Sequence, residues 1–213
     1  MKPRRLFVAG STGAIGRTVL RLAAARGDDV VPHVRPKSAA GGAPHPNAAV
    51  FELSDLDPLT ESLRGCTTVV QLIGTMRKRF ATGDTYETSD VGTTRQLVEA
   101  ARRAGTIDHV ILLSSVGAGR PFGAYLHAKA RAEAIVREGG IPWTVFRPSA
   151  FVGEGHKAPP LGDTITRMLG ARRLQPIRVE ELAGAILHVA RTRQPLDAVL
   201  EGEPLWKAVA SAR

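Results

Sequence analysis

At 213 residues, with 43% hydrophobic content and a net charge of +9, the chain has the size and composition of one globular domain, or of one domain with a small appendage. No run of about 20 apolar residues occurs and the first apolar run starts at Leu6, which predicts neither a membrane-spanning helix nor a signal peptide. The lone cysteine, Cys66, excludes an intramolecular disulfide and predicts a reducing, cytoplasmic setting.

Leu6 to Ala9 reads as a short buried strand that breaks into Gly10, Gly13 and Gly16, three residues apart. A helical pattern follows at once, with Ile15, Val19 and Leu22 on one side. Strand, tight glycine turn and helix start together make a seat for a nucleotide pyrophosphate. Glycine lets the backbone approach phosphate, and the helix N-terminus offers free N–H donors and partial positive charge.

A second strand, Val30 to Val34, ends in Arg35-Pro36-Lys37. A carboxylate about 20 residues past the glycine turn holds the ribose hydroxyls of NAD in this kind of site. None stands there, since Asp28 and Asp29 precede the strand and belong to its opposite end. Arg35, with Arg17 just beyond the third glycine, suits a 2′-phosphate by charge and paired hydrogen bonds, so NADP(H) is expected in preference to NAD(H).

Residues 36–48 are too rich in proline and glycine for more than one helical turn. Strands are then expected at Ala49–Leu53, Thr68–Ile73, His109–Leu113 and Trp143–Phe146, with helices at 57–63, 89–104 and 124–138 between them. Continuous apolar strands separated by helices predict an α/β fold with a doubly wound parallel sheet, covered on both faces. Residues 153–175 read as irregular with a short helix near 163–170, and 180–190 as an amphipathic helix. The whole of 1–213 is expected to be a single Rossmann-type domain, in which 150–213 supplies a small substrate-side cap.

The strand at 109–113 ends in Ser114 and Ser115, and Tyr125 and Lys129 follow four residues apart on one helix face. An ammonium beside a phenol favours the phenolate, and such a tyrosine can exchange a proton with a substrate oxygen while hydride moves at the adjacent carbon. A nearby serine hydroxyl orients that oxygen.

Several of these segments resemble the short-chain dehydrogenase/reductase superfamily, in its atypical and extended branches, NmrA-like proteins among them. The matching pieces are Gly10-Ser-Thr-Gly-Ala-Ile-Gly16, Ser54-Asp55-Leu56, Leu72-Ile-Gly74, Ser114-Ser115, Tyr125 with Lys129, and Arg147-Pro-Ser-Ala-Phe151. Asp90 to Ala101 and Val179 to Ile186 are similar to two of its helices. The resemblance implies that Gly10, Thr12, Gly13, Ala14, Ile15 and Gly16 hold the pyrophosphate. It further implies that Asp55 and Leu56 flank the adenine, and that Leu72, Ile73 and Gly74 run beneath the adenosine ribose. Lys129 would bond the nicotinamide ribose, and Pro148 and Phe151 would line the nicotinamide pocket. Ser115, Tyr125 and Lys129 would be the catalytic set, with Ser114 the less favoured serine. The serine-to-tyrosine spacing is shorter than the superfamily's usual one, and the chain is shorter than an extended member.

The expected activity is an NADP(H)-dependent oxidoreductase acting on a small carbonyl or hydroxyl compound. A dinucleotide-binding redox sensor or regulator, or an accessory subunit of a larger complex, is the alternative. The basic residues are scattered, and no zinc-ligand or recognition-helix pattern accompanies them, so the expected partner is a small-molecule substrate rather than a nucleic acid. A protein partner or a second copy of the chain stays open. No metal site is expected from the spacing of the six histidines, and Cys66 reads as a packed thiol. Arg77-Lys78-Arg79-Phe80 reads either as a solvated loop or as a lid over an anionic or aromatic substrate.

Overall fold

The computed structural model describes residues 4–41, 45–74, 85–153 and 172–212. Arg77-Lys78-Arg79-Phe80 and the helix expected near 163–170 lie outside them. In chain order the elements are β1 (Arg5–Ala9), α1 (Ala14–Arg26), β2 (Asp29–Val34), the single turn α2 (Pro36–Ala39), β3 (Ala49–Val50) and α3 (Leu56–Leu63). There follow β4 (Thr68–Gln71), a π-helical segment (Glu87–Gly92) that runs into α4 (Thr93–Ala104), β5 (His109–Leu113), α5 (Gly123–Glu138) and β6 (Trp143–Phe146). The last are β7 (Phe151–Val152), β8 (Ile177–Arg178), α6 (Val179–Thr192), β9 (Ala198–Leu200) and α7 (Glu203–Ser211).

Seven strands form a parallel sheet in the order β3-β2-β1-β4-β5-β6-β9, and β7 pairs with β8 in a small parallel sheet of its own. The order reverses direction between β1 and β4, and the carboxyl ends of those two strands open the crevice in which such sheets bind ligands. Period-two alternation on β1 feeds both faces. Leu6 and Val8 join a core with α1, α6 and α7, while Phe7 and Ala9 join one with α3, α4 and α5. This is the doubly wound architecture expected from the sequence.

Three elements differ from expectation, each for a visible reason. β3 pairs for two residues only, because the chain turns back at Glu52–Asp55, where the Asp55 N–H donates to the Glu52 carbonyl at 2.9 Å. β4 stops at Gln71 rather than Ile73, because the Ile73 N–H leaves the ladder and donates to Gln71 Oε1 at 3.0 Å. The helix expected from residue 89 begins as a π turn, with the Thr93 and Thr94 hydroxyls donating to the carbonyls of Ser89 and Asp90.

The described part of the tail does more than stand over the sheet. α6 packs against α1 and is buried along Leu182, Ala183, Ile186, Leu187 and Val189, and β9 adds the seventh strand. A three-residue strand is too short to announce itself by alternation. Among the described residues no helix is long and apolar enough to cross a membrane.

Candidate dinucleotide and catalytic site

The glycine turn between β1 and α1 is closed by contacts that leave no room for side chains. Gly10 is left-handed (φ +86°), and a Cβ there would stand 2.9 Å from the Ile73 backbone nitrogen. A Cβ on Gly16 would stand 2.2 Å from the Gly10 carbonyl oxygen, so the first turn of α1 can sit this close to the end of β1 only with glycine. Gly13 caps α1 with no side-chain bond, and the first turn of the helix carries no acidic residue. Its N–H donors are thus left to an incoming anion. The cradle and its donors fit a pyrophosphate.

Beside this turn lies a cavity of about 450 Å³. Gly10, Thr12 and Gly13 form its β1 side, Arg35 its β2 side, and Leu72, Ile73 and Gly74 its β4 side, so seven of the expected residues meet in one place. Ala14, Ile15 and Gly16 lie behind the turn in α1, and Arg17 lies along it, donating from Nη1 to the Thr12 carbonyl at 2.7 Å.

Beyond the end of β3 the wall is made by Glu52, Leu53 and Ser54; Asp55 and Leu56 begin the next helix and do not line the cavity. Glu52 follows the end of β3, and its place at a strand's carboxyl end is the signal that points to it. His33, Thr88 and Ser89 also line the cavity without having been singled out by any motif, and Gly92, Thr93 and Gln96 line it from the stretch that resembles a helix of the superfamily. His33 packs between Phe7 and Phe51, with Nε2 donating to the Phe51 carbonyl at 2.8 Å. Burial holds its imidazole below the ordinary value, with the Phe51 carbonyl acting in the opposite sense. Ser11, on the turn, donates to the His33 carbonyl at 2.5 Å and ties β1 to β2.

Tyr125 and Lys129 project from successive turns of α5, with Lys129 Nζ 5.9 Å from the centre of the Tyr125 ring. Lys129 donates to the Leu113 carbonyl at 3.1 Å, which places α5 against β5 two residues before Ser115. Its ammonium also pairs with Asp90 at 2.8 Å, both side chains being buried. The second tyrosine of the chain, Tyr86, packs on Tyr125 with ring centres 5.4 Å apart.

The two serines diverge. Ser114 is buried and donates to Glu133 Oε1 at 2.5 Å, whereas Ser115 is half-buried and donates to the Val116 carbonyl at 3.4 Å. Glu133, fully buried one turn beyond Lys129, also takes Arg147 on both oxygens and Arg137 on one. Burial opposes its charge, but the Arg147 and Ser114 hydrogen bonds hold the carboxyl below its usual range. Arg147 in turn pairs with Glu201 beyond β9 at 3.1 Å. The Val116 N–H donates to the Pro148 carbonyl at 2.9 Å, so the serine loop lies along the segment from Pro148 to Phe151.

The chain as a whole is similar to known proteins. A family model described as NAD(P)H-binding matches residues 10–191. Protein FMP52, mitochondrial, of Debaryomyces hansenii is 26% identical over 219 residues, covering 97% of this chain and 94% of that protein. A crystal structure of the oxidoreductase ylbE from Lactococcus lactis is 19% identical with a TM-score of 0.70, covering 97% of this chain and 95% of its own. A short-chain dehydrogenase/reductase superfamily protein from Agrobacterium tumefaciens with bound NAD is 19% identical with a TM-score of 0.71, covering 93% and 77%. At these identities the two structures show a common fold. The chain belongs to the NAD(P)H-binding family, on the parallel-sheet fold of the short-chain dehydrogenase/reductase superfamily.

Proposed function

We propose that the chain is an NADP(H)-dependent oxidoreductase acting on a small carbonyl or hydroxyl compound. The observation that carries this reading is that Lys129, 5.9 Å from the centre of the Tyr125 ring on α5, bonds the end of β5 two residues before Ser115. Gly10, Thr12 and Gly13 with the α1 N-terminus hold the pyrophosphate and Leu72 to Gly74 support the adenosine ribose. Pro148 and Phe151, which do not line the cavity, are assigned to the nicotinamide by the family resemblance alone. When bound, the nicotinamide ring supplies or accepts a hydride. Tyr125 gives or takes the proton at the substrate oxygen, Ser115 donates a hydrogen bond to that oxygen, and Lys129 orients the ribose. Ser114, held by Glu133, is withdrawn from this set.

The NADP(H) preference rests on Arg35, which lines the cavity at the end of β2, and on Arg17 along the turn. Cys66 is free, which suits a reducing compartment such as the cytoplasm, and burial pushes its thiol up to about 11.

A second reading, a dinucleotide-binding sensor or subunit without turnover, is favoured by the Asp90 carboxylate, which matches the Lys129 charge that would otherwise bear on the phenol. NADPH oxidation against a panel of small aldehydes and ketones separates the two. Tyr125→Phe is expected to lower turnover by about 100-fold or more with coenzyme affinity unchanged. Tight NADPH binding without turnover above that variant would leave the binder reading standing instead.

A further inference from the structure

Phe122 stands at the N-cap of α5, a position that favours Ser, Thr, Asp or Asn, and makes no side-chain cap there. It is 89% exposed, and among the described residues it is the only Phe, Tyr or Trp that is exposed. An aromatic side chain that neither caps nor packs contributes nothing to the fold, and such local misfits mark functional positions. Tyr125 follows three residues later, in the first turn of the same helix. Its ring lies against that of Tyr86, with centres 5.4 Å apart and planes tilted by 59°. Both rings are half-buried, so part of each side chain meets solvent. Around them the charges of the two helical segments are matched, Glu87 with Arg131 and Asp90 with Lys129. What these segments offer beside the phenol is therefore aromatic surface rather than a bare charge.

We propose that Tyr86 and Phe122 select the substrate, an aromatic aldehyde or ketone whose ring lies against them while its carbonyl oxygen meets Tyr125. Aromatic rings attract one another, offset or edge-to-face, at centre separations of about 4.5–7 Å. A ring bonded directly to a carbonyl at the Tyr125 hydroxyl falls within that range of Tyr86, and Phe122 loses exposed apolar surface against the same ring. The proposal deepens the oxidoreductase reading and rests on it. The carbonyl carbon takes a hydride from bound NADPH and the oxygen takes the Tyr125 proton. The C=O π bond opens to give the alcohol and NADP+, and water returns a proton to the phenolate.

Steady-state NADPH oxidation by the full chain, with benzaldehyde against cyclohexanecarbaldehyde, tests the proposal. The two compounds are close in size and differ in the π face. Wild type is expected to show about tenfold higher kcat/KM for benzaldehyde. Tyr86→Leu and Phe122→Leu keep apolar bulk, and each should cut that ratio about three- to fivefold, with cyclohexanecarbaldehyde kept within about twofold. Tyr86→Phe keeps the ring and should hold the ratio within about twofold of wild type. Phe122 is exposed, so Phe122→Leu disturbs no packing and decides the matter if Tyr86→Leu fails to fold. A wild-type ratio under about threefold, or a ratio unchanged in either folded leucine variant, would overturn this proposal and leave the oxidoreductase reading in place. A wild-type chain that reduces no aldehyde or ketone, with NADPH bound or not, removes both.

Discussion

Gly16 is the residue on which the dinucleotide seat is built. A methyl group there would meet backbone, the Gly10 carbonyl at 2.2 Å and Ser11 Cα at 2.6 Å, and backbone has no rotamer in which to retreat. Gly16→Ala is expected to displace the start of α1 and to abolish detectable NADPH binding in a fluorescence titration; binding within about threefold of wild type would show that the turn relaxes cheaply. Arg35 acts differently, by charge at the cavity edge. Arg35→Glu should weaken NADPH binding about tenfold or more and leave NADH binding within about twofold. Equal losses for the two coenzymes would mean that no 2′-phosphate is read at this position. The Glu52 carboxylate in the same wall is the natural counterweight to that preference.

At the scale of elements, α5 is the bar that carries the proposed catalytic side chains Tyr125 and Lys129. Tyr125, Lys129, Glu133 and Arg137 recur every four residues along it, so they share one face. Each meets a different neighbour. Tyr125 meets Tyr86, Lys129 meets Asp90 and the end of β5, Glu133 meets Ser114 and Arg147, and Arg137 lies over Trp143 with its guanidinium 5.2 Å from the ring centre. The exposed Glu87–Arg131 pair adds little energy but sets the register of the π turn against the helix. Glu133→Ala takes one of its two carboxylate partners from the half-buried Arg147, leaving Glu201, and strips Ser114 of its acceptor, which should cost about 3 kcal/mol in chemical unfolding. Ser114→Ala removes one hydrogen bond to a charged acceptor and should cost about 1.5–3 kcal/mol. If Glu133→Ala proves no more damaging than Ser114→Ala, the carboxylate is not the node of this network.

At the scale of the molecule, stability should fall on the acid side from near neutrality. His109 is buried on β5, its Nε2 donating to Thr144 Oγ1, whose own hydrogen goes to the Pro195 carbonyl. Burial, then the Arg193 and Arg4 charges, lower its imidazole from 6.5 to about 3. His33 shifts the same way. Between those values the unfolded chain takes up protons that the folded one refuses, so the stabilisation is complete above pH 6.5 and is lost as pH falls toward 3. Glu133, also lowered, adds its own loss as pH drops through its ordinary 4.5 and below. Melting temperature should decline from about pH 6.5 downward, as stability falls by up to about 1.4 kcal/mol per pH unit for each group. His109→Gln should flatten much of that slope. A melting temperature level from pH 6.5 to 4.5 would contradict the assignment.

Periodicity and punctuation are local properties, and they were enough to place most of the sheet. β5 and β6 run over the residues that the apolar runs mark, and the glycine turn opens α1 where the triplet ends. From these the parallel, doubly wound order follows, because strand–helix alternation leaves few ways to cover both faces. Partners from distant segments are not local, and only the folded chain could reveal them. Nothing near Lys129 in sequence marks Asp90 as its counter-ion 39 positions away, or Glu133 as the acceptor that claims Ser114 rather than Ser115. The same holds for Glu52, carried into the cavity wall by the turn after a two-residue strand, and for β9, whose three residues become a strand only because β6 offers an unpaired edge. The amino-acid order determined that a phosphate-binding turn exists and which helix bears the phenol; packing decided which charges are matched and which side chains reach the cavity.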